Sequence, residues 1–422
     1  MRALLRTDLA ETRQFSKVRP ARSRDATRLL MVASIAPADA LRLVPLAEAA
    51  RESGFDPQIV VLRAPDAPAN DPALSELQAS GLAFFKIDPP SGHGFFPALE
   101  QYRALNRIVK QVNPHIIHAV GLRAVLAAGA IARQKRIATV HSPDLVAQHL
   151  TPGPMTRWGR RVALGAGLAF AFGHRQAQVH VATPEDRAAL IDAHVLDPKR
   201  SFLSRGIGVD LNAYHPRSGE PPAEDTLIVA FPPPDVLGRE ALATVIDTAR
   251  ALIEQGLPAR FVLIGGQDQD RISRPTQKVL QAWQNEGLIE WWELADNLAE
   301  TLRRVDVFCV PVAPGRQAAM THLVAAAASG LTLIATDCAA FRDVIRHDLN
   351  GLLVPLGDGG ALRAACIKAV RDRAFRQQAA QRSREIATAE FGLEASITAA
   401  LTMYQAALTP PARLRFFVRQ AG

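Results

Sequence analysis

The chain of 422 residues is 48% hydrophobic and 21% charged, which suits two or three domains with cores of their own and excludes a disordered chain. Its formal charge of +8 sits at the ends: residues 1–28 carry eight basic side chains against three acids, Arg413, Arg415 and Arg419 face none, and the body between is formally neutral, so a nucleic-acid partner is not expected. Three scattered cysteines, Cys309, Cys338 and Cys366, make neither a disulfide framework nor a zinc spacing.

Residues 1–28 form a basic leader without an apolar signal core and are expected to be disordered. An apolar run over 28–34 is followed by a helical pattern over 41–53, where Leu43, Leu46, Ala47 and Ala50 recur at three- and four-residue steps. This strand-then-helix unit repeats, with strands expected at 57–62, 83–87, 115–119, 137–141 and 178–182. The most apolar stretch, 162–172, is far shorter than the roughly 20 residues of a membrane span. The polar, Pro-rich segment 215–225 breaks the rhythm and is expected to link a first domain, 29–214, to a second, 226–385. In the second, strands are expected at 227–231, 260–264, 288–292, 307–310, 331–335 and 351–354, and helices over 241–255, over 298–304, from about Thr321 and from Ala361. A helix within 386–412 is expected to cross back to the first domain, ahead of a basic tail, 413–422. Continuous apolar strands alternating with amphipathic helices predict an α/β protein with two Rossmann-like domains facing each other across a cleft.

Several short motifs occur in order along this frame. The run from Asp337 to Ile345 (DCAAFRDVI) is followed by His347 to Pro355 (HDLNGLLVP) and by Gly357-Asp358. Upstream lie Gly208-Val209-Asp210 with Tyr214 and Pro216, Gly265-Gly266 after a strand, and Asp306 to Pro311 (DVFCVP). The first half holds Asn113 to His118 (NPHIIH) and Thr139-Val140-His141. In this order they resemble the family-4 retaining glycosyltransferases of the GT-B fold, whose patterns read D-x-G-G-x-x-E, D-G-x-N-G-L-L-V-P, G-V-D-x-x-x-F-x-P and x-V-H. The resemblance implies a nucleotide-sugar donor, a saccharide or lipid-linked acceptor, retention of configuration, and no cofactor or metal.

Charge builds on the donor diphosphate as the glycosidic bond breaks, and fixed cations or helix N-terminal amides stabilise it. The family supplies an Arg and a Lys after the first strand of the second domain and an E-x7-E pair; here both sets are altered. The segment after Phe231 reads PPPDVLGR, leaving Arg239 as the nearby cation for the diphosphate, and the carboxylate pair becomes Gln317 and Ala325. Gln317 can hydrogen-bond a sugar hydroxyl without carrying a charge. The loop after the first strand, 35–39, has no glycine.

The resemblance places His141 near the donor sugar, at a strand end facing the cleft. Gly265 and Gly266 form a tight turn that can also meet a base or phosphate. Thr321 is expected to cap a helix whose amides, with His322 beside them, hold a phosphate. Trp291 and Trp292 could stack on a sugar or base, or pack at a sheet edge. Two readings follow: a transferase with an altered donor site, or a catalytically impaired homologue that keeps the fold as a binding or assembly partner. The expected location is cytoplasmic, with the basic tails making weak contact with anionic membrane at its inner face.

Overall fold

The computed structural model describes residues 26–34, 43–63, 72–88, 95–143, 146–150, 158–203, 208–218, 226–265, 274–292, 298–313 and 317–409. Nearly all of the leader, the tail, Gly266 and the 35–39 loop lie outside them. The chain divides into unit 1, Met1–Ser204 with Ile397–Gly422, and unit 2, Arg205–Ser396.

Unit 1 is a seven-stranded parallel sheet in the order β3-β2-β1-β4-β5-β6-β7. Its strands are β1 (Thr27–Ala33), β2 (Phe55–Leu62), β3 (Ala83–Ile87), β4 (Ile116–Val120), β5 (Ala138–Ser142), β6 (Ala177–Val181) and β7 (Ser201–Leu203). The intervening helices are α1 (Leu43–Glu52), α2 (Pro72–Ala79), α3 (Phe95–Val112), α4 (Leu122–Lys135), α5 (Ala147–Leu150), α6 (Trp158–Phe172) and α7 (Pro184–Asp192). All residues of β4 and β5 are buried, as expected for central parallel strands covered on both faces. Leu30, Val32, Ile117, Ala119 and Val179 pack with Val125 and Ala128 of α4 and Leu168 and Phe172 of α6. The basic leader ends before Arg28, because Arg28 already belongs to β1; its N–H meets His115 Nδ1 at 3.0 Å and its Nε donates to Asn113 O at 2.7 Å.

Unit 2 is a six-stranded parallel sheet in the order β10-β9-β8-β11-β12-β13. Its strands are β8 (Leu227–Phe231), β9 (Ala259–Ile264), β10 (Glu290–Trp292), β11 (Val307–Val310), β12 (Thr332–Thr336) and β13 (Gly351–Val354). The helices are α8 (Pro234–Glu254), α9 (Arg274–Asn285), α10 (Leu298–Leu302), α11 (Gln317–Ala328), α12 (Ala339–Arg342), α13 (Gly359–Arg371), α14 (Arg373–Glu390) and α15 (Leu393–Leu408). From Ile397 onward α15 groups with unit 1.

Residues 208–214, assigned from sequence to the first domain, group with unit 2. Val209 N–H donates to Phe391 O at 2.8 Å and its carbonyl accepts from Leu393 N–H at 3.0 Å. Arg384 clamps the same stretch, donating to the carbonyls of Leu211 (3.1 Å), Tyr214 (2.6 Å) and Ala328 (2.7 Å). Of the expected linker, Arg217 pairs with Asp306 at 2.9 Å, and Asp306 also accepts from Ile228 N–H, tying this segment to β8; residues 219–225 lie outside the described set.

The motif that ends in Asn350-Gly351 is built for packing. Asn350 is fully buried; its Oδ1 accepts from Arg346 N–H at 2.7 Å and its Nδ2 donates to Val344 O at 2.9 Å, closing the turn into β13. Asp348 stands where the family pattern has glycine, and its φ is +60°. Aspartate is among the few side chains that tolerate this left-handed backbone.

Candidate active site

In an open parallel sheet, ligands bind beyond the strand carboxyl ends where the strand order reverses, because the loops there diverge and leave a crevice. In unit 2 that point lies between β8 and β11. β8 leads through Pro232 and Pro233 into α8, which is interrupted at Gly238 (φ 75°, ψ 169°), so that Arg239 opens the regular helix. In the family pattern a Gly-Arg and then a Lys-Gly follow this strand; with Gly238 taken as the second of those glycines, Leu237, 2% exposed, stands in the place of the lysine. Arg239 is exposed and has no ion pair among the described residues. A guanidinium beside freshly opened helical amides makes this spot positive on two counts.

β11 leads to α11, which begins at Gln317 rather than near Thr321. Thr321 is therefore not the helix cap: its N–H lies beyond the amides that a helix N-terminus leaves open. Thr321 and His322 fall in the second turn and are half-buried. Ala325, the counterpart of the second carboxylate, is 2% exposed. The side chain of Gln317 lies outside what is described.

Gly265 follows β9 with φ +148°, and a Cβ there would sit 2.4 Å from Cβ of Pro233. Only glycine permits this approach of the β9 loop to the β8 loop. Its N–H donates to Trp292 O at 3.1 Å and its carbonyl accepts from Trp291 Nε1 at 2.7 Å. Both polar backbone atoms are thus committed to β10, and Gly265 offers no free amide to a phosphate.

The tryptophans brace the sheet edge. Trp292 donates to Glu290 at 3.0 Å and carries the Arg304 guanidinium 4.2 Å over its ring, while Arg260 makes a two-pronged pair with Glu290 at 2.6 and 2.7 Å. Those hydrogen bonds hold the Glu290 carboxyl below the usual range.

His141 does not face an opening. Its ring is fully buried, 5.4 Å from that of Phe172, and a Cβ on Gly129 of α4 would lie 3.1 Å from its Cε1. Neither ring nitrogen has a hydrogen-bond partner among the described residues. Burial pushes its pKa down to about 3 and nearby His174 adds to the shift; the Ala171 backbone opposes it without forming a well-aligned hydrogen bond. The apolar run placed His141 correctly at a strand end, but α4 and α6 close over the face it takes.

On the other face of the sheet lies a polar chain that the sequence did not announce. The Tyr404 hydroxyl is 2.8 Å from His118 Nδ1, His118 Nε2 is 2.9 Å from Ser142 Oγ, and Ser142 Oγ is 3.1 Å from His180 Nδ1. The fully buried Tyr404 hydroxyl has His118 as its partner and therefore donates to it. His118 then carries its proton on Nε2 and donates to Ser142, which donates to His180. Burial keeps His118 neutral, with its pKa pushed to about 3, and raises that of Tyr404. Tyr404 and His118 stand 286 positions apart in the sequence, so no local pattern could have linked them.

Comparison with known proteins agrees with this architecture. Residues 42–210 match the family described as "Glycosyltransferase Family 4" and residues 236–372 that described as "Glycosyl transferases group 1". A phosphatidyl-myo-inositol mannosyltransferase of Mycobacterium leprae is 27% identical over 145 residues, 33% of this chain and 36% of that protein. The match thus spans little more than a third of the relative. A glycosyltransferase from Rickettsia africae ESF-5 superposes with a TM-score of 0.67 at 12% identity, covering 92% of this chain and all of that one. Anabaena Alr3699/HepE, solved in complex with UDP and glucose, superposes with a TM-score of 0.65 at 14% identity, covering 90% and 100%. With both family matches in sequence order on two parallel-sheet units, the chain belongs to the family-4 type of GT-B glycosyltransferases.

Proposed function

We propose that the protein transfers a sugar from a nucleotide-sugar donor to a saccharide or lipid-linked acceptor, with retention and without a metal or cofactor. The observation that carries this reading is the strand-order reversal of unit 2, flanked by Arg239 at the start of the regular part of α8 and by the N-terminus of α11. Arg239 and the first amides of α11 would stabilise the diphosphate as the leaving bond breaks, and Gln317 would contact a sugar hydroxyl. His141, enclosed by Phe172 and α4, would support the end of β5 without touching the donor.

The Anabaena neighbour, solved with UDP and glucose, supports a nucleotide-sugar class of donor, and the name of the mycobacterial relative supports a lipid-linked acceptor. Among the described residues no helix is long and apolar enough to cross a membrane, so a membrane-borne acceptor would be reached from the surface. A cytoplasmic protein whose basic tails meet the inner leaflet fits this reading; both tails lie outside the described residues.

The test is calorimetry and thermal shift of the purified chain against a panel of nucleoside diphosphates and their sugars. One nucleotide should bind selectively, and Arg239→Ala should weaken it about tenfold, the loss of one charged hydrogen bond. If none binds at millimolar concentration, the transfer reading fails. The second reading, a binding or assembly partner without catalysis, then stands; apolar Leu237 and Ala325 in the places of a cation and a carboxylate favour it.

A further inference from the structure

α6 is apolar on two sides. Leu164, Leu168, Ala171 and Phe172, spaced i, i+4, i+7 and i+8, pack toward the core of unit 1. Val162, Ala166, Ala169 and Phe170 repeat that spacing on the outer side, and all four are exposed, Val162 at 49% and Phe170 at 46%. A helix that is apolar all round is ordinarily buried all round. This one leaves an apolar stripe about 12 Å long against solvent. Ala169 also lines a cavity of about 540 Å³ whose wall is apolar at Phe172, Val179 and Leu196 and polar at His194, Asp197 and Arg200.

Cations stand at both ends of the stripe. Arg160 and Arg161 lie in the first turn of α6, where the helix dipole favours acids, so they do not serve the helix itself. At the other end Arg133 donates to Phe170 O at 2.7 Å, with its guanidinium 4.4 Å over the Phe170 ring, and Arg200 donates to His174 O at 2.6 Å. Arg175 between them is exposed. The nearby acid is Asp197, 3.8 Å from Arg200, and residues 145–184 contain no Asp or Glu at all.

We propose that this face lies in the interface of an anionic bilayer, with the stripe at the acyl boundary and the arginines on headgroup phosphates. A second copy of the chain suits the face less well: pairing two such helices, in either direction, sets arginines against arginines with no acid on the stretch to relieve them. The proposal is independent of sugar transfer and of the basic tails.

Co-sedimentation of the full chain with vesicles of phosphatidylcholine, alone or mixed with phosphatidylglycerol, tests it. Binding should require the anionic lipid and fall at high salt. Val162→Ser with Phe170→Ser should weaken it about tenfold or more, while Arg160→Gln with Arg161→Gln should weaken it and flatten its salt dependence. Ala163→Glu, on the same exposed side with both anchors intact, should also abolish it; thermal melting confirms that each variant is folded. Unchanged vesicle binding by the serine and glutamate variants would overturn the proposal, as would equal binding to neutral vesicles or a dimer that the serine variant dissolves.

Discussion

Replacing His141 by leucine should leave the fold intact and make its stability less sensitive to acid. The native ring is neutral, with its pKa near 3, whereas in the unfolded chain it titrates near 6.5. Between those values the unfolded state binds the extra proton, so stability is full above pH 6.5 and declines as pH falls toward 3. At about 1.36 kcal/mol per pH unit, going from about pH 7 to about pH 5 removes about 2 kcal/mol for this group. His118 has the same depression and contributes about 2 kcal/mol more. Urea unfolding followed by far-UV circular dichroism should therefore show a loss between about pH 7 and about pH 5 that is about 2 kcal/mol smaller in His141→Leu than in the native sequence. Because the ring nitrogens have no partner to lose, the variant should differ from the parent by no more than about 1 kcal/mol near neutrality. An identical acid sensitivity in both proteins would mean that His141 titrates normally, and would return it to an open, ligand-facing position.

Tyr404→Phe deletes the proton donor to His118 and should lower stability by about 1–3 kcal/mol in urea titrations, without a change in nucleotide binding. Gly265→Ala drives a Cβ into Pro233 at an unfavourable φ; it should destabilise unit 2 and shift the fluorescence of Trp291 and Trp292, which hold that glycine by its backbone. Ala325→Glu restores one carboxylate of the family pair at a buried site, and a hydrolysis assay should detect no new turnover because the cation at Leu237 is still absent. Melting of the same variant should fall, since an unpaired carboxylate is costly to bury.

The strands of both sheets were legible as short, mostly apolar runs; those expected at 83–87, 227–231, 307–310 and 351–354 match β3, β8, β11 and β13 in full, β3 and β13 although they are sheet edges. β7 escaped, since Ser201–Leu203 is a three-residue edge strand that never forms a run. α11 begins at Gln317, four residues ahead of Thr321, which has the chemistry of a cap that Gln317 lacks. The side of β5 that would be open depended on how α4 and α6 pack, which strand periodicity does not encode. Asp306, Asn350 and Gly208-Val209 stood out as motif residues; the first two close turns and tie strands, and Val209 pairs with the backbone beside Gly392.

Unit 1 is completed by α15, the last helix among the described residues, and this sets an order of assembly on the ribosome. At about 5–20 residues per second, the roughly 190 residues of unit 2 take about 10–40 s to emerge after β7. For that interval the nascent sheet has its strands but not Tyr404, so His118 lacks its buried donor and Phe55 the aromatic ring that meets it edge-on at 5.6 Å. Unit 2 is continuous in sequence and faces no such wait. A stalled or prematurely terminated chain would therefore yield a finished second unit attached to an open, adhesive first one, the form that chaperones and proteases would meet.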